Sequence, residues 1–339
     1  MKRVQICLLI FAIFVVPAVA SATTEGYVTY DFEPSTDSLP IMYSYVSEYA
    51  FIDAEVAANV LFGNLQYQVD DAYDNDILVR RICATEDAMI YSDKYGGFRY
   101  STENAKYVRE IASDFFEYPN NELTFMSQSD AILLCESTLN ELGIKAQAYD
   151  VKSLNVDTLV QLSNDSRVDL LEWQELGKEV YIKDDWSIDD ECYYIDLYNM
   201  IDGIPVTLSG YYDKKVDSYF SGTTISVIIT CNGIEYIDVS NLVHLISNGD
   251  PISSCTMQTA LDGYISEKNS ELTSVNIYID DMYIRYVQTF IPGKNVMNSF
   301  KMIPAWTLLR SFDQNENGVI HTYFHETYCD IATGKELRK

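Results

Sequence analysis

The chain has 339 residues, and its 23 lysines and arginines stand against 51 aspartates and glutamates, a formal charge of −28 at neutral pH. So acidic a surface repels nucleic acid and anionic membrane faces, which sets both aside as partners. Solubility, a cationic partner or a divalent cation all fit the charge.

In chain order, the first element is a leader. Lys2 and Arg3 precede an apolar run from Val4 to Ala20, and Ala20-Ser21-Ala22 has the small-x-small form that signal peptidase cuts. The run is short for a membrane span, Pro17 interrupts it, and no lysine or arginine follows to hold it in place. The reading is a signal peptide over residues 1–22, with an uncleaved N-terminal anchor as the alternative. Cleavage leaves 21 basic residues against 51 acidic, a charge of −30, on an exported chain that does not span the membrane. Cys7 lies too early in the run to be a lipidated N-terminal cysteine.

Six cysteines remain, Cys83, Cys135, Cys192, Cys231, Cys255 and Cys329, with no C-x-x-C pair. Zinc ribbons and thioredoxin-type redox chemistry therefore have no support. Disulfides and buried thiols both stay open, because an exported chain permits the first and a chain this long buries a core without staples.

Residues 23–40 have no clear period and read as an N-terminal extension. Ala54 to Phe62 reads as a short helix. The stretch from Ile77 to Thr102 reads as strands, with Tyr95-Gly96-Gly97 turning between two of them. Asn104 to Phe116 places Val108, Ile111, Ala112 and Phe115 on one helical face. Ser127 and Asp130 form a capping box for a helix that runs to Gly143, followed by the strand Ile144 to Val151. Two short helical stretches follow, Val156 to Leu162 and Arg167 to Trp173.

From Cys192 the chain is strongly β, and Asn232-Gly233 between alternating runs is a hairpin signal. Ile252 to Ile265 predicts a serine-capped helix, and three β runs complete the chain. The sequence thus predicts an α+β fold of two helix-on-antiparallel-sheet units, weakly repeated, over residues 41–188 and 189–339.

Several of these segments carry a resemblance. Asp202 to Val206 (DGIPV), the Asn-Gly hairpin, the helix opening Ile252-Ser253-Ser254 with Ala260 further along, Ile303 to Trp306 (IPAW) and Cys329 to Leu337 (CDIATGKEL) follow an order similar to the extracytoplasmic YycH/YycI-like regulators of Gram-positive bacteria. More loosely, they resemble PepSY-like domains, whose last strand ends in a D-A-x-T-G-K type turn. Here Asp330 to Lys335 has a turn of that type, with Ile331 ahead of Ala332 between the aspartate and the threonine. The resemblance covers most of Asp190 to Lys339 and, faintly, the helix from Ser127 to Gly143. It implies a non-enzymatic role outside the cytoplasm, contacting a membrane sensor or modulating a peptidase, and carries over no catalytic residue. YycI-like regulators keep an N-terminal anchor, whereas this leader reads as cleaved.

Residues that suggest chemistry are few. His321 and His325 would share a metal on a helix, but β-branched and aromatic neighbours predict a strand, on which they stand roughly 13 Å apart. The order H-E-x-x-H is absent. Asp313, Asn315 and Asn317, in Asp313 to Gly318 (DQNENG), match the first half of a calcium loop, yet the twelfth position is Phe324 where a bidentate glutamate belongs. A polar hairpin turn explains the same residues. No G-x-S-x-G, S-x-x-K or phosphate-cradling glycine loop occurs. Asp189-Asp190 and Asp280-Asp281 are carboxylate pairs, but neighbours on a strand face opposite ways.

The reading from sequence is an exported protein without enzymatic activity, binding a protein partner at the bacterial cell surface. A secreted carboxylate-dependent hydrolase acting on glycans and a carbohydrate-binding surface protein are the alternatives. No cofactor is predicted beyond the calcium that Asp313, Asn315 and Asn317 suggest.

Overall fold

β-Branched and tyrosine-rich runs dominate this chain, and a computed structural model folds them as strands. It describes residues 23–25, 28–112, 121–213, 218–270, 277–291, 299–316 and 319–337, so the signal peptide expected over residues 1–22 lies outside the described residues. In chain order the elements are β1 (Thr23–Glu25), β2 (Val28–Tyr30), β3 (Met42–Tyr49), α1 (Ala54–Leu61), β4 (Gln68–Asp74), β5 (Ile77–Ala84), β6 (Ala88–Asp93), β7 (Phe98–Thr102), α2 (Glu103–Ile111), α3 (Gln128–Glu141), β8 (Ala146–Leu154) and α4 (Val156–Glu175). A 3-10 turn, Ile188–Asp190, leads to β9 (Cys192–Ile201), β10 (Ile204–Pro205), β11 (Tyr211–Asp213), β12 (Ser218–Phe220), β13 (Thr224–Thr230), β14 (Gly233–Ser240), β15 (Val243–Leu245) and β16 (Asp250–Ile252). The chain then continues through α5 (Met257–Ser270), β17 (Ile277–Thr289), β18 (Phe300–Glu316) and β19 (Val319–Asp330). The fold is α+β and mostly sheet. Among the described residues no helix is long and apolar enough to cross a membrane.

Two compact units are each assembled from separated segments. The larger holds the described residues of Tyr43–Pro251 and Ile284–Pro304, and the smaller those of Met1–Met42, Ile252–Tyr283 and Ala305–Arg338.

In the larger unit an antiparallel sheet runs β10-β9-β13-β14-β7-β6-β5-β4, with β8 on the outer side of β9. It joins strands from both sides of residue 189. Alternation along its central strands feeds two cores on opposite faces. Tyr193, Ile195 and Leu197 of β9 pack with Ala57 and Ala58 of α1 and Cys135 and Leu139 of α3. Cys192 of β9, Ile228 of β13 and Tyr236 of β14 pack with Val108 of α2 and Leu159 and Leu162 of α4. Both sheet faces are therefore covered, which is why the central strands read as nearly continuous apolar runs. Elsewhere in this unit β3 pairs with β15 and with Phe300–Met302 of β18. Phe300, Met302, Tyr286 and Phe220 fill a third core.

The smaller unit pairs β18 with β19 from Ala305↔Asp330 out to Glu316↔Val319, and β2 with β17 in parallel. Helix α5 buries Ala260, Leu261, Tyr264 and Ile265. Gly263 brings α5 against the C-terminal turn: a Cβ there would lie 2.2 Å from the Thr333 carbonyl oxygen.

Local signals in the sequence match these elements closely. Ser127 caps α3, accepting from the Asp130 amide at 3.1 Å. Gly143 follows α3 at φ +79, and the hairpin before Gly233 joins β13 to β14. Three expectations need correction. The helix expected over Asn104 to Phe116 is α2, which ends at Ile111 because Ala112 already has extended backbone, and Phe115 and Phe116 lie outside the described residues. The stretches Val156 to Leu162 and Arg167 to Trp173 form the single helix α4, because Leu159, Leu162, Ser163 and Leu170 make one buried stripe across the polar residues between them. The helix expected from Ile252 starts instead at Met257: Ile252 belongs to β16, the Cys255 amide donates to the Ile331 carbonyl at 3.0 Å, and the Thr256 hydroxyl accepts from the Thr259 amide at 3.2 Å.

Candidate functional site

Four segments of the larger unit meet around a groove of about 480 Å³. They are the lead-in and first turn of α1, the residues that follow α3, the end of β9, and Leu242 with β15. The volume falls within the roughly 300–1,000 Å³ common to ligand sites. Phe51, Val56, Leu142, Ile144, Ile201 and Val243 supply apolar lining, and Asp53, Lys145, Asn199, Asp202 and His244 supply polar groups. Phe51 and Val56 are exposed.

The backbone around the groove is held by hydrogen bonds. The Ala50 amide donates to the Leu242 carbonyl at 2.8 Å, and the Leu242 amide to the Gly96 carbonyl at 2.9 Å. Gly96 has φ +80, and a Cβ would stand 2.5 Å from the Leu242 carbonyl oxygen. The Tyr95-Gly96-Gly97 turn thus needs glycine for its left-handed backbone and for its approach to a groove residue.

Asn199 is 5% exposed. Its Nδ2 donates to the Lys145 carbonyl at 3.1 Å, which fixes the amide orientation, and Oδ1 has no hydrogen-bond partner. Buried acceptors are rarely left in that state.

The two carboxylates of the groove are already engaged. Asp53 caps α1, accepting from the Glu55 amide at 2.9 Å. Asp202 has φ +50 in the turn between β9 and β10, and its Oδ2 accepts from the Tyr45 hydroxyl. Burial, and after it the Asp202 contact, push the Tyr45 phenol up to about 12. Apolar walls with a small polar set are the chemistry of binding.

The edge of the same sheet is a second feature. Among the described residues β4 pairs with β5 alone, and Asn75 and Asp76, both at positive φ, make the turn between them. Arg81 of β5 clasps Asp71 of β4 with its Nε at 2.7 Å and Nη2 at 2.8 Å, and its Nη1 donates to Glu55 at 2.5 Å. These bonds hold the Asp71 carboxyl below the usual carboxylate range. The same guanidinium stands 3.9 Å from Asp53, so one side chain serves both the edge and the groove.

The residues singled out in the sequence lie elsewhere. Asp313 and Asn315 are on β18, opposite Thr322 and Ile320, while Asn317 lies outside the described residues. His321 and His325 are on strand β19, opposite Gln314 and Arg310. His325 is exposed, with its Nδ1 3.4 Å from Arg310 Nη2. Glu326 accepts from Tyr283 at 2.8 Å and Tyr328 at 2.5 Å. No group of three or more histidine, cysteine or acidic side chains suited to a metal occurs among the described residues. Asp190 caps its own turn and binds Lys183 at 2.7 Å, and Asp280 accepts from Ser311 at 2.9 Å. The six cysteines are free thiols, and Cys83, Cys135, Cys192 and Cys329 are buried. Asp330 organises the C-terminal turn, its Oδ1 accepting from the amides of Ala332 and Thr333 and from the Thr333 hydroxyl. That motif is structural.

The groove residues and β4 had little signal in the sequence. Asp202-Gly203 and Asp74-Asn75-Asp76 carry the composition of turns.

No family model matches the chain, and no curated protein matches it. Among solved structures, an uncharacterised protein from Eubacterium rectale ATCC 33656 is similar over 94% of this chain and 92% of that one, with a TM-score of 0.65 at 15% identity. At that identity the two share a fold and nothing further is shown. YycH from Bacillus subtilis aligns with 83% of this chain and 52% of its own length at 10% identity, with a TM-score of 0.32, too low to establish a common fold.

Proposed function

We propose that this is an exported protein that works by binding another protein at the bacterial cell surface, as a regulator of a membrane sensor or a modulator of a peptidase. The observation that carries the reading is the groove. It has apolar walls, exposed Phe51 and Val56, and an orphan acceptor on Asn199, while both its carboxylates are held by structural hydrogen bonds. The leader-like residues 1–22 and the segments similar to YycH/YycI-like regulators support the location and the role.

A glycan hydrolase has one observation in its favour, the presence of Asp53 and Asp202 in the same groove. A hydrolase needs one carboxyl free to give up a proton and another free to attack or activate water. Asp53 fastens a helix terminus and Asp202 a tyrosine hydroxyl.

The test is a crosslinking pull-down of residues 23–339 from the protein's own cells, with and without calcium, run beside the variants Phe51→Asp and Val56→Asp. A partner captured by the native chain and lost from both variants supports the reading. Capture that ignores both substitutions removes the groove from it. Glycan cleavage abolished by Asp202→Asn would replace it with the hydrolase. Calcium-dependent capture would give Asp313, Asn315 and Asn317 a role.

A further inference from the structure

We propose that the open edge strand β4 is a second docking surface, and that it takes an extended peptide segment carrying lysine or arginine at alternate positions. This inference does not depend on what the groove holds.

A terminal strand leaves a row of backbone amides and carbonyls facing outward, a template for one more strand. β4 is such a strand among the described residues. Its side chains select what would pair there. Gln68 to Asp74 reads Gln-Val-Asp-Asp-Ala-Tyr-Asp, three acids and no cation. Arg81 takes up Asp71 from the inner strand. Asp70 and Asp74 stay open to solvent, with side chains 71% and 65% exposed; Asp70 lies 3.5 Å from Arg80, and Asp74 lies 3.9 Å from Lys94 and accepts from the Asn75 side-chain amide at 3.1 Å. Beside the acids stand Val69, 47% exposed, and Tyr73, whose ring is 60% exposed while its hydroxyl donates to Asp71 at 3.1 Å.

Acids at an edge do two things at once. Against a second copy of this chain they set aspartate beside aspartate, which disfavours pairing of like edges. Against a basic strand they set opposite charges across the pair, and the chain's charge of −28 steers such a strand inward. Val69 and Tyr73 offer apolar contact to whatever lies between the partner's cations. A free acidic edge with exposed apolar surface thus fits a basic segment in β-augmentation.

The experiment uses residues 23–339 with two blocked ten-residue probes, one alternating lysine and valine and the other glutamate and valine. Binding is followed by fluorescence anisotropy, and pairing by hydrogen exchange of the β4 amides. The lysine probe is expected to bind and to slow exchange over residues 68–74. Binding should fall at least tenfold for the double variant Asp70→Lys/Asp74→Lys, and the glutamate probe should not bind. If that variant fails to fold, Asp70→Asn/Asp74→Asn, which keeps the shape, should weaken binding severalfold. The proposal is overturned if the lysine probe does not bind, binds the variants as tightly as the native chain, or protects amides elsewhere and not on β4. Protection of β4 that grows with protein concentration without probe would assign the edge to a second copy and overturn it equally.

Discussion

Replacing Gly263 by alanine sets two physical effects against each other, and the structure decides the sign. Gly263 lies inside α5, where alanine is favoured over glycine by about 1 kcal/mol. Helix propensity alone therefore predicts a more stable protein. The new methyl carbon would stand 2.2 Å from the Thr333 carbonyl oxygen and 3.3 Å from the Gly334 Cα. Ordinary contact begins at 3.4 Å, so the overlap with oxygen exceeds 1 Å. The oxygen cannot easily retreat. Its turn is tied by the Gly334 amide to the Asp330 carbonyl at 2.9 Å, by the Asp330 amide to the Lys335 carbonyl at 2.8 Å, and by the Asp330 side chain. Gly334, at φ +69, is closed in from the other side, since a Cβ there would meet the Ala260 carbonyl oxygen at 2.0 Å. Overpacking a fixed site costs about 1–3 kcal/mol, and this one belongs at the upper end. The net expectation is a loss of about 2 kcal/mol, a large part of the roughly 5–15 kcal/mol that holds a domain together. Buried Trp306 reports on the smaller unit, so urea unfolding followed by its fluorescence in a Trp173→Phe/Trp186→Phe background reads the effect where it arises. The midpoint should fall by about 1 M at ordinary urea slopes. A midpoint unchanged or raised would show that α5 does not lie against the turn as described.

Three further outcomes are expected. Arg81→Gln removes the bonds that hold Asp71 below the usual carboxylate range. A depressed carboxyl stabilises the fold above its unfolded value, about 3.9, and ceases to as pH falls through its folded value. The stability gap between native and variant chains in urea should thus be full at about pH 6 and close toward about pH 2; a gap constant with pH would refute the coupling. Tyr45 ionises near pH 10 in an unfolded chain but at about 12 in place, so stability from this group is lost as pH rises across that window, and Tyr45→Phe should flatten the loss and remove one late phenolate from an absorbance titration. Maleimide labelling without reductant should modify the exposed Cys231 first, reach Cys255 more slowly, and reach Cys83, Cys135, Cys192 and Cys329 only on unfolding. Fewer than six thiols in denaturant would restore the disulfide alternative.

What was legible in the sequence is what neighbouring residues decide among themselves. Ser127 with Asp130, Asn232 with Gly233 and Tyr95-Gly96-Gly97 act within a few residues of each other, and each lies where its local chemistry places it. The strand carrying His321 and His325 was readable for the same reason, because its β-branched and aromatic neighbours favour a pleated backbone whatever else the chain does. The groove is different in kind. Residues 50–57, 142–145, 199–202 and 242–245 share no local pattern, and only the order of strands in the sheet brings them together. Asn199 was invisible because β9 is buried on both faces, so a polar residue there does not mark a solvent side. β4 was hidden for the opposite reason: an edge strand exposed to water needs no apolar face, and Gln68 to Asp74 looks like a loop until β5 pairs with it. The charge of the chain takes on meaning through these same residues. Arg81 is surrounded by Asp71, Glu55 and Asp53, so one of few cations is spent joining the edge strand to the helix that borders the groove. Removing it would release an acid at each of these places together, which makes Arg81 the side chain through which a change at the edge would be felt at the cap of α1.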